Sequence, residues 1–185
     1  GDCTLIQSSI SHYYFTIMGD VFVSFLIATG VLLISYKGYS THDNIATTFC
    51  GLCAICIAWF PTSNNKDVEC AIRTLADSGL RTDVHYFAAA LYYCTLAYIP
   101  LFLFTKSAGA LTKQKRTRNM VYRLCGITVL ISILLIFFED DIPLLNTEGF
   151  KPTFWLEWVA NLAYGGSWLI KGGLFLRDEE AVIAQ

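Results

Sequence analysis

The chain has 185 residues, the size of one domain, and its composition differs from that of a soluble protein. Hydrophobic residues make up 55% of it, charged residues only 15%, and its mean hydropathy is +0.50. A soluble domain carries about 25% charged residues. The net charge of −2 leaves no basic face for nucleic acid, and the apolar content excludes a disordered chain. We therefore predict a polytopic membrane protein whose partner is the lipid bilayer.

Five apolar runs follow one another along the chain, and each approaches the roughly 20 residues that a helix needs to cross the hydrocarbon core. Because the runs are continuous rather than alternating, they predict helices and not barrel strands. The second run is the shortest, and a re-entrant or buried segment is its alternative. The fold class is therefore all-α, a single transmembrane helical domain over residues 1–185. The predicted spanning helices are Tyr13–Tyr36, Ile45–Pro61, Val84–Thr105, Asn119–Phe138 and Phe154–Leu176.

Lysine and arginine indicate the orientation of the helices, because cytoplasmic loops carry an excess of both. The basic linker Lys106–Arg118 is therefore placed in the cytoplasm. Alternation then puts the N-terminus and the acidic linker Glu139–Thr153 outside, and the C-terminus in the cytoplasm. The sequence begins at Gly1 without a signal peptide, so we expect a preceding helix or leader to carry the N-terminus across.

The cysteines fall into two groups under this topology. The Cys-x-x-Cys-x-x-Cys run at Cys50–Cys56 lies in an apolar helix without the flanking charge that activates a thiol, so close packing is favoured over metal or redox chemistry. Two further cysteines lie in the third and fourth helices. Only Cys3 and Cys70 lie on the outer, oxidising side, and we predict a disulfide between them.

Polar residues within the apolar helices are the candidates for function, because ionisable groups are costly at membrane depth. Asp20 shares a helical face with Thr16, which indicates a seam that faces protein; its alternative is a purely structural bond to another helix. Since helices one, three and five run from outside to inside, Asp20, His85 and Glu157 all belong to the outer half of the bundle. The candidate ligand- or proton-binding residues are Asp20, His85, Glu157, Thr16, Tyr92 and Asn161.

Carboxylates and imidazoles on one side of a bundle can bind a metal, exchange protons or relay them. The leading hypothesis is an outward-facing polar pocket that binds or passes a small ligand, a lipid head group or a proton. One alternative is a membrane-embedded hydrolase or transferase that acts on lipid by acid–base or metal chemistry. For that alternative a divalent metal is the candidate cofactor, with His85 and Asp20 as ligands. A further alternative is a non-catalytic assembly subunit whose polar seams bind other membrane subunits.

Four short stretches resemble a group of poorly characterised bacterial membrane proteins. They are Ser8–Tyr14, Met18–Val23, Phe60–Thr62 and Ser167–Gly172. That group is similar to the broad DRAM/Frag-like set of six-helix proteins. The resemblance implies a helix before residue 1 and a bacterial inner-membrane location. It implies no particular activity, so no catalytic residue is carried over.

Overall fold

The computed structural model describes residues 6–63, 68–106, 112–145 and 149–176. Every regular element within these ranges is helical, which confirms the predicted all-α class. A π-helical turn continues the third helix over Ile99–Leu103, and short 3-10 turns lie at Ile10–Phe15 and Glu139–Asp141. The five long helices are α1 (Gly19–Ser35), α2 (Thr41–Trp59), α3 (Gly79–Tyr98), α4 (Lys113–Phe137) and α5 (Pro152–Lys171).

The helices pack in chain order, α1 on α2, α2 on α3, α3 on α4 and α4 on α5. A single core joins them, with buried side chains from every helix. Examples, one from each helix, are Leu33, Cys50, Leu96, Val129 and Ala160. Helices α1 and α5 stand at the two ends of this series, and no extensive packing joins them among the described residues. A gap therefore lies between α1 and α5.

Two helical segments are long and apolar enough to cross a membrane, Gly79–Leu103 and Lys113–Phe137. Helix α1 is also apolar but has only 17 residues. By length and composition, the described residues thus contain fewer membrane-crossing helices than the five predicted. Five spans and their orientation stay a prediction.

The first helix begins at Gly19, not at the predicted Tyr13, because Thr16 interrupts it. The Thr16 hydroxyl donates to the Tyr13 carbonyl oxygen at 2.9 Å and accepts from the Met18 N–H at 3.2 Å. These local bonds compete with helical ones. The chain then passes so close to itself that a Cβ on Gly19 would lie 2.3 Å from the Tyr14 carbonyl oxygen. Thr16 therefore forms a turn and does not belong to a ligand-binding seam.

Helices α3 and α4 also differ from their predicted bounds. Pro100 lacks an N–H and crowds the preceding turn. The chain accommodates it by widening into the π-helical turn, where the Phe104 N–H donates to the Ile99 carbonyl oxygen at 3.0 Å. Helix α4 begins at Lys113, not at Asn119, because the Thr112 hydroxyl caps it. Much of the predicted basic linker therefore lies in the first turns of α4.

Helices α1 and α2 approach closely at two glycines. A Cβ on Gly51 would lie 2.5 Å from the Gly30 carbonyl oxygen, and a Cβ on Gly30 would lie 2.8 Å from that of Gly51. Beside this crossing, Cys50 and Ala54 are fully buried, and Cys50 is a free thiol. Cys50 and Ala54 thus lie at a close helix contact, as the packing interpretation of the cysteine run predicts.

Candidate functional site

The segment that precedes α1 lies over the beginning of α5 and is bonded to Glu157. The Ser9 hydroxyl donates to Glu157 Oε2 at 2.9 Å, and the Ile10 N–H donates to the same oxygen at 2.7 Å. Glu157 is only 9% exposed. Its Oε1 accepts no hydrogen bond from the described residues, and no described cation pairs with it. One carboxylate oxygen is therefore held in place, and the other is available to bind a ligand.

His85 lies beneath the same segment, in the first turns of α3, and is buried. Its Nδ1 lies 2.8 Å from the Phe60 carbonyl oxygen. Because a carbonyl oxygen only accepts, Nδ1 carries a proton and donates. Its Nε2 lies 3.1 Å from the Ser11 hydroxyl oxygen. Both ring nitrogens are thus engaged, and His85 positions the segment that bonds Glu157.

Asn161 lies one turn after Glu157 and connects α5 to α3. Its side-chain amide donates to the Tyr93 hydroxyl at 2.9 Å and to the Glu157 carbonyl oxygen at 2.8 Å. Tyr93 was not among the residues predicted for a site, which included its neighbour Tyr92. Tyr93 is also one helical step, four residues, beyond Ala89, so the spacing contained the signal.

A cavity of about 380 Å³ occupies the gap between α1 and α5. Its volume falls within the range of small-molecule sites, about 300–1,000 Å³. Glu157, Asn161 and the hydroxyl-bearing Tyr93 contribute polar groups to its wall. The rest of the wall is mostly apolar or aromatic. The principal residues of α1 and α5 in it are Val21, Phe22, Phe25, Leu26, Trp158 and Leu162.

Of the six residues predicted for a site, three line this cavity: Glu157, Asn161 and Tyr92. The prediction that Asp20 lies on a seam that faces protein is wrong. Its side chain is 83% exposed and forms a 2.8 Å ion pair with Arg73 of the α2–α3 linker. The physical reason is the late start of α1, which places Asp20 in the first turn, where the linker reaches it. Asp20 is not part of the cavity wall among the described residues.

The predicted metal ligands are not brought together. Within the parts of the chain that the structure describes, no three His, Cys, Asp or Glu side chains are arranged to hold a metal. His85 bonds Phe60 and Ser11, and Asp20 pairs with Arg73. The described geometry therefore provides no site for the divalent metal considered from the sequence.

The predicted disulfide involves one described cysteine. Cys70 is disulfide-bonded, whereas the five cysteines of the helices are free. Cys3 lies outside the described residues, so its pairing with Cys70 stays a prediction.

A second buried carboxylate, which was not among the predicted residues, lies in the first turn of α2. This end of the helix is opposite to the end where Phe60 bonds His85. Asp43 is 2% exposed and forms an ion pair with Lys106. It also accepts from the Ser40 hydroxyl at 2.9 Å and from the Tyr39 N–H at 3.1 Å. Burial raises the pKa of Asp43, but the bonds from Lys106 and Ser40 outweigh it, and the net pKa lies below its ordinary value. The Ser40-x-x-Asp43 spacing, typical of a helix start, was the available signal.

Comparison with protein-family models, curated proteins and solved structures gives no match. The resemblance to the DRAM/Frag-like group therefore stays a prediction. What can be inferred about function comes from the geometry of the Glu157 cavity.

Proposed function

We propose that this chain is a multi-pass membrane protein that binds an amphipathic cation, an ammonium group on an apolar body, in the cavity between α1 and α5. The observation that carries the proposal is the environment of Glu157. Its carboxyl group is buried, one oxygen is fixed by Ser9 and Ile10, and no described cation balances it. An uncompensated buried charge is costly, so a bound cation offsets that cost.

The cavity wall suits both parts of such a molecule. Trp158 and Tyr93 line it together with Glu157. Aromatic faces attract ammonium groups, so rings beside a carboxylate favour a cationic head. Phe25 and Leu26 extend the wall along α1 and provide apolar contacts for the body of the ligand. Each methylene buried there contributes about 0.8 kcal/mol.

The position of the cavity supports entry from the bilayer. With all five helices spanning, as the sequence predicts, the gap between α1 and α5 opens toward lipid. A molecule with an apolar body partitions into the membrane first and then reaches the gap laterally. The proposal refines the predicted polar pocket, because it assigns the head group to Glu157 and removes Asp20 from the site.

The test measures binding of a fluorescent single-chain alkylammonium to the protein in lipid nanodiscs. The uncharged alcohol of the same chain length serves as the reference ligand. We expect the ammonium to bind at least about tenfold more tightly than the alcohol, since a charge-assisted hydrogen bond contributes about 1.5–3 kcal/mol. Glu157→Gln removes the charge with little change of shape, and it should abolish this preference.

Asp20→Asn is the matched control, because it also neutralises a carboxylate near the start of a helix but lies outside the cavity. It should leave the preference for ammonium unchanged. Equal binding of the two ligands to the unmodified protein would contradict the proposal. If a second copy of the chain, detected by cross-linking between α1 and α5, fills the gap, the assembly-subunit alternative replaces it.

A further inference from the structure

A groove of about 330 Å³ lies on the first half of α4 and shares no lining residue with the Glu157 cavity. Its wall contains two arginines, Arg116 and Arg123, which lie two helical turns apart on one face. Asn119, Met120 and Leu124 complete the wall. The groove therefore combines two guanidinium groups with an apolar floor.

The charge of this groove is not balanced by the described part of the chain. Arg116 and Arg123 are exposed, and neither takes part in an ion pair with a described residue. The first turn of α4 contains no acidic residue, while Lys113 and Lys115 add further positive charge there. Like charges repel one another, and the positive end of the helix dipole adds to that repulsion. An anion in the groove would relieve it.

The apolar part of the groove indicates that this anion carries hydrocarbon. Met120 is 59% exposed and Leu124 is 57% exposed. Both lie after Arg116 in α4, on the side where the helix becomes apolar. This helix is long and apolar enough to cross a membrane. Side chains of this kind favour contact with acyl chains over contact with water.

The length of α4 indicates how deep in a bilayer the groove lies. At 1.5 Å per residue, its 25 residues extend over roughly 37 Å, which exceeds the roughly 30 Å hydrocarbon core. All the charged residues of α4 lie in its first eleven positions, so in a bilayer that α4 spans the excess lies at this end, with Arg116 among the lipid head groups. Arg123 lies about 10 Å deeper and reaches the same level by extending its side chain toward the interface.

We propose that the α4 groove binds the phosphate of an anionic phospholipid. Arg116 and Arg123 donate to the phosphate oxygens, in the forked geometry that suits guanidinium groups. Met120 and Leu124 contact the acyl chains below it. Asn119 contacts the chain just after the π-helical turn, because its amide donates to the Thr105 carbonyl oxygen at 3.3 Å. This site is independent of the Glu157 cavity and selects a lipid of the opposite charge.

The test follows the thermal unfolding of the detergent-solubilised protein as short-chain phosphatidylglycerol is added. Phosphatidylcholine of the same chain length and inorganic phosphate are added in parallel. We expect phosphatidylglycerol alone to raise the unfolding temperature. The double variant Arg116→Gln/Arg123→Gln should need at least about tenfold more phosphatidylglycerol for the same rise, because both charge-assisted contacts are lost.

The matched control is Lys113→Gln/Lys115→Gln, which removes the same charge from the same helix but leaves the groove intact. It should respond to phosphatidylglycerol as the unmodified protein does. An equal loss of response in both double variants would show general charge attraction and overturn the proposal. A rise with inorganic phosphate alone would also overturn it, in favour of a free-anion site. If the double arginine variant does not fold, Arg123→Lys is the alternative, because it keeps the charge but removes the forked guanidinium donors. It should still weaken the rise in unfolding temperature with phosphatidylglycerol.

Discussion

Replacing Gly51 by alanine tests the close crossing of α1 and α2. The new Cβ would lie 2.5 Å from the Gly30 carbonyl oxygen, whereas ordinary contact begins at 3.4 Å, so α1 and α2 must separate locally by the difference, 0.9 Å. The oxygen belongs to the backbone and cannot rotate away. Gly166 offers the opposite case on α5, because nothing lies within 4 Å of a Cβ added there.

The two substitutions should therefore change stability in opposite directions. Overpacking costs about 1–3 kcal/mol, and the higher helix propensity of alanine returns about 1 kcal/mol, so we expect Gly51→Ala to lose up to about 2 kcal/mol. Gly166→Ala has no clash and should gain up to about 1 kcal/mol. In a chain of this size each kcal/mol corresponds to about 2–4 °C in the unfolding temperature.

The assay is thermal unfolding followed by circular dichroism, with both variants in the same detergent. The unfolding temperature of Gly51→Ala should fall by up to about 8 °C, and that of Gly166→Ala should stay level or rise. If Gly51→Ala were as stable as Gly166→Ala, the close crossing of α1 and α2 would be refuted, and with it the packing role of the cysteine run.

Three further predictions concern charge, redox state and orientation. The pKa of Asp43 is lowered in the folded protein, so its stabilisation is present above the unfolded pKa of about 3.9 and is lost as the pH falls through the folded value. Asp43→Asn should thus lower the unfolding temperature at pH 7, and the difference in unfolding temperature between the variant and the unmodified protein should shrink in strong acid. If that difference did not change with pH, it would contradict the ion pair with Lys106. Cys3 and Cys70 should both resist alkylation until the protein is reduced, and mass spectrometry of non-reduced peptides should find them joined; free thiols at both positions would disprove the pairing. Single cysteines introduced in the linker Glu139–Thr153 should react with an impermeant reagent from outside, whereas those in Lys106–Arg118 should not, and the reverse pattern would invert the predicted topology.

The five helices could be predicted because long apolar runs determine them. Their ends depend on single side chains that a hydropathy pattern ignores. Thr112 caps α4 and draws the basic residues from Lys113 onward into the helix, and Thr16 delays the start of α1. Serine and threonine residues that could cap a helix are visible in the sequence. An apolar run does not show which of them forms the cap.

The candidate site was predicted in part, for a physical reason. Glu157 and Asn161 were found because polar groups in an apolar helix are conspicuous. The partners of Glu157 could not be found, since Ser9 lies 148 residues away in the sequence and no local pattern connects them. Asp20 is equally conspicuous in the sequence, but its predicted role depended on helical neighbours, and the turn at Thr16 removes them. Arg73, its actual partner, comes from a linker without a regular pattern.

The central claim is that the gap between α1 and α5 holds an ammonium group against Glu157. A photoreactive alkylammonium, activated in nanodiscs and mapped by peptide mass spectrometry, tests it most directly. The account predicts labelling of cavity residues on α1 and α5, above all Phe25 and Trp158, and loss of that labelling in Glu157→Gln but not in Asp20→Asn. Labelling spread over the exposed apolar faces of α4, or unchanged by Glu157→Gln, would contradict it.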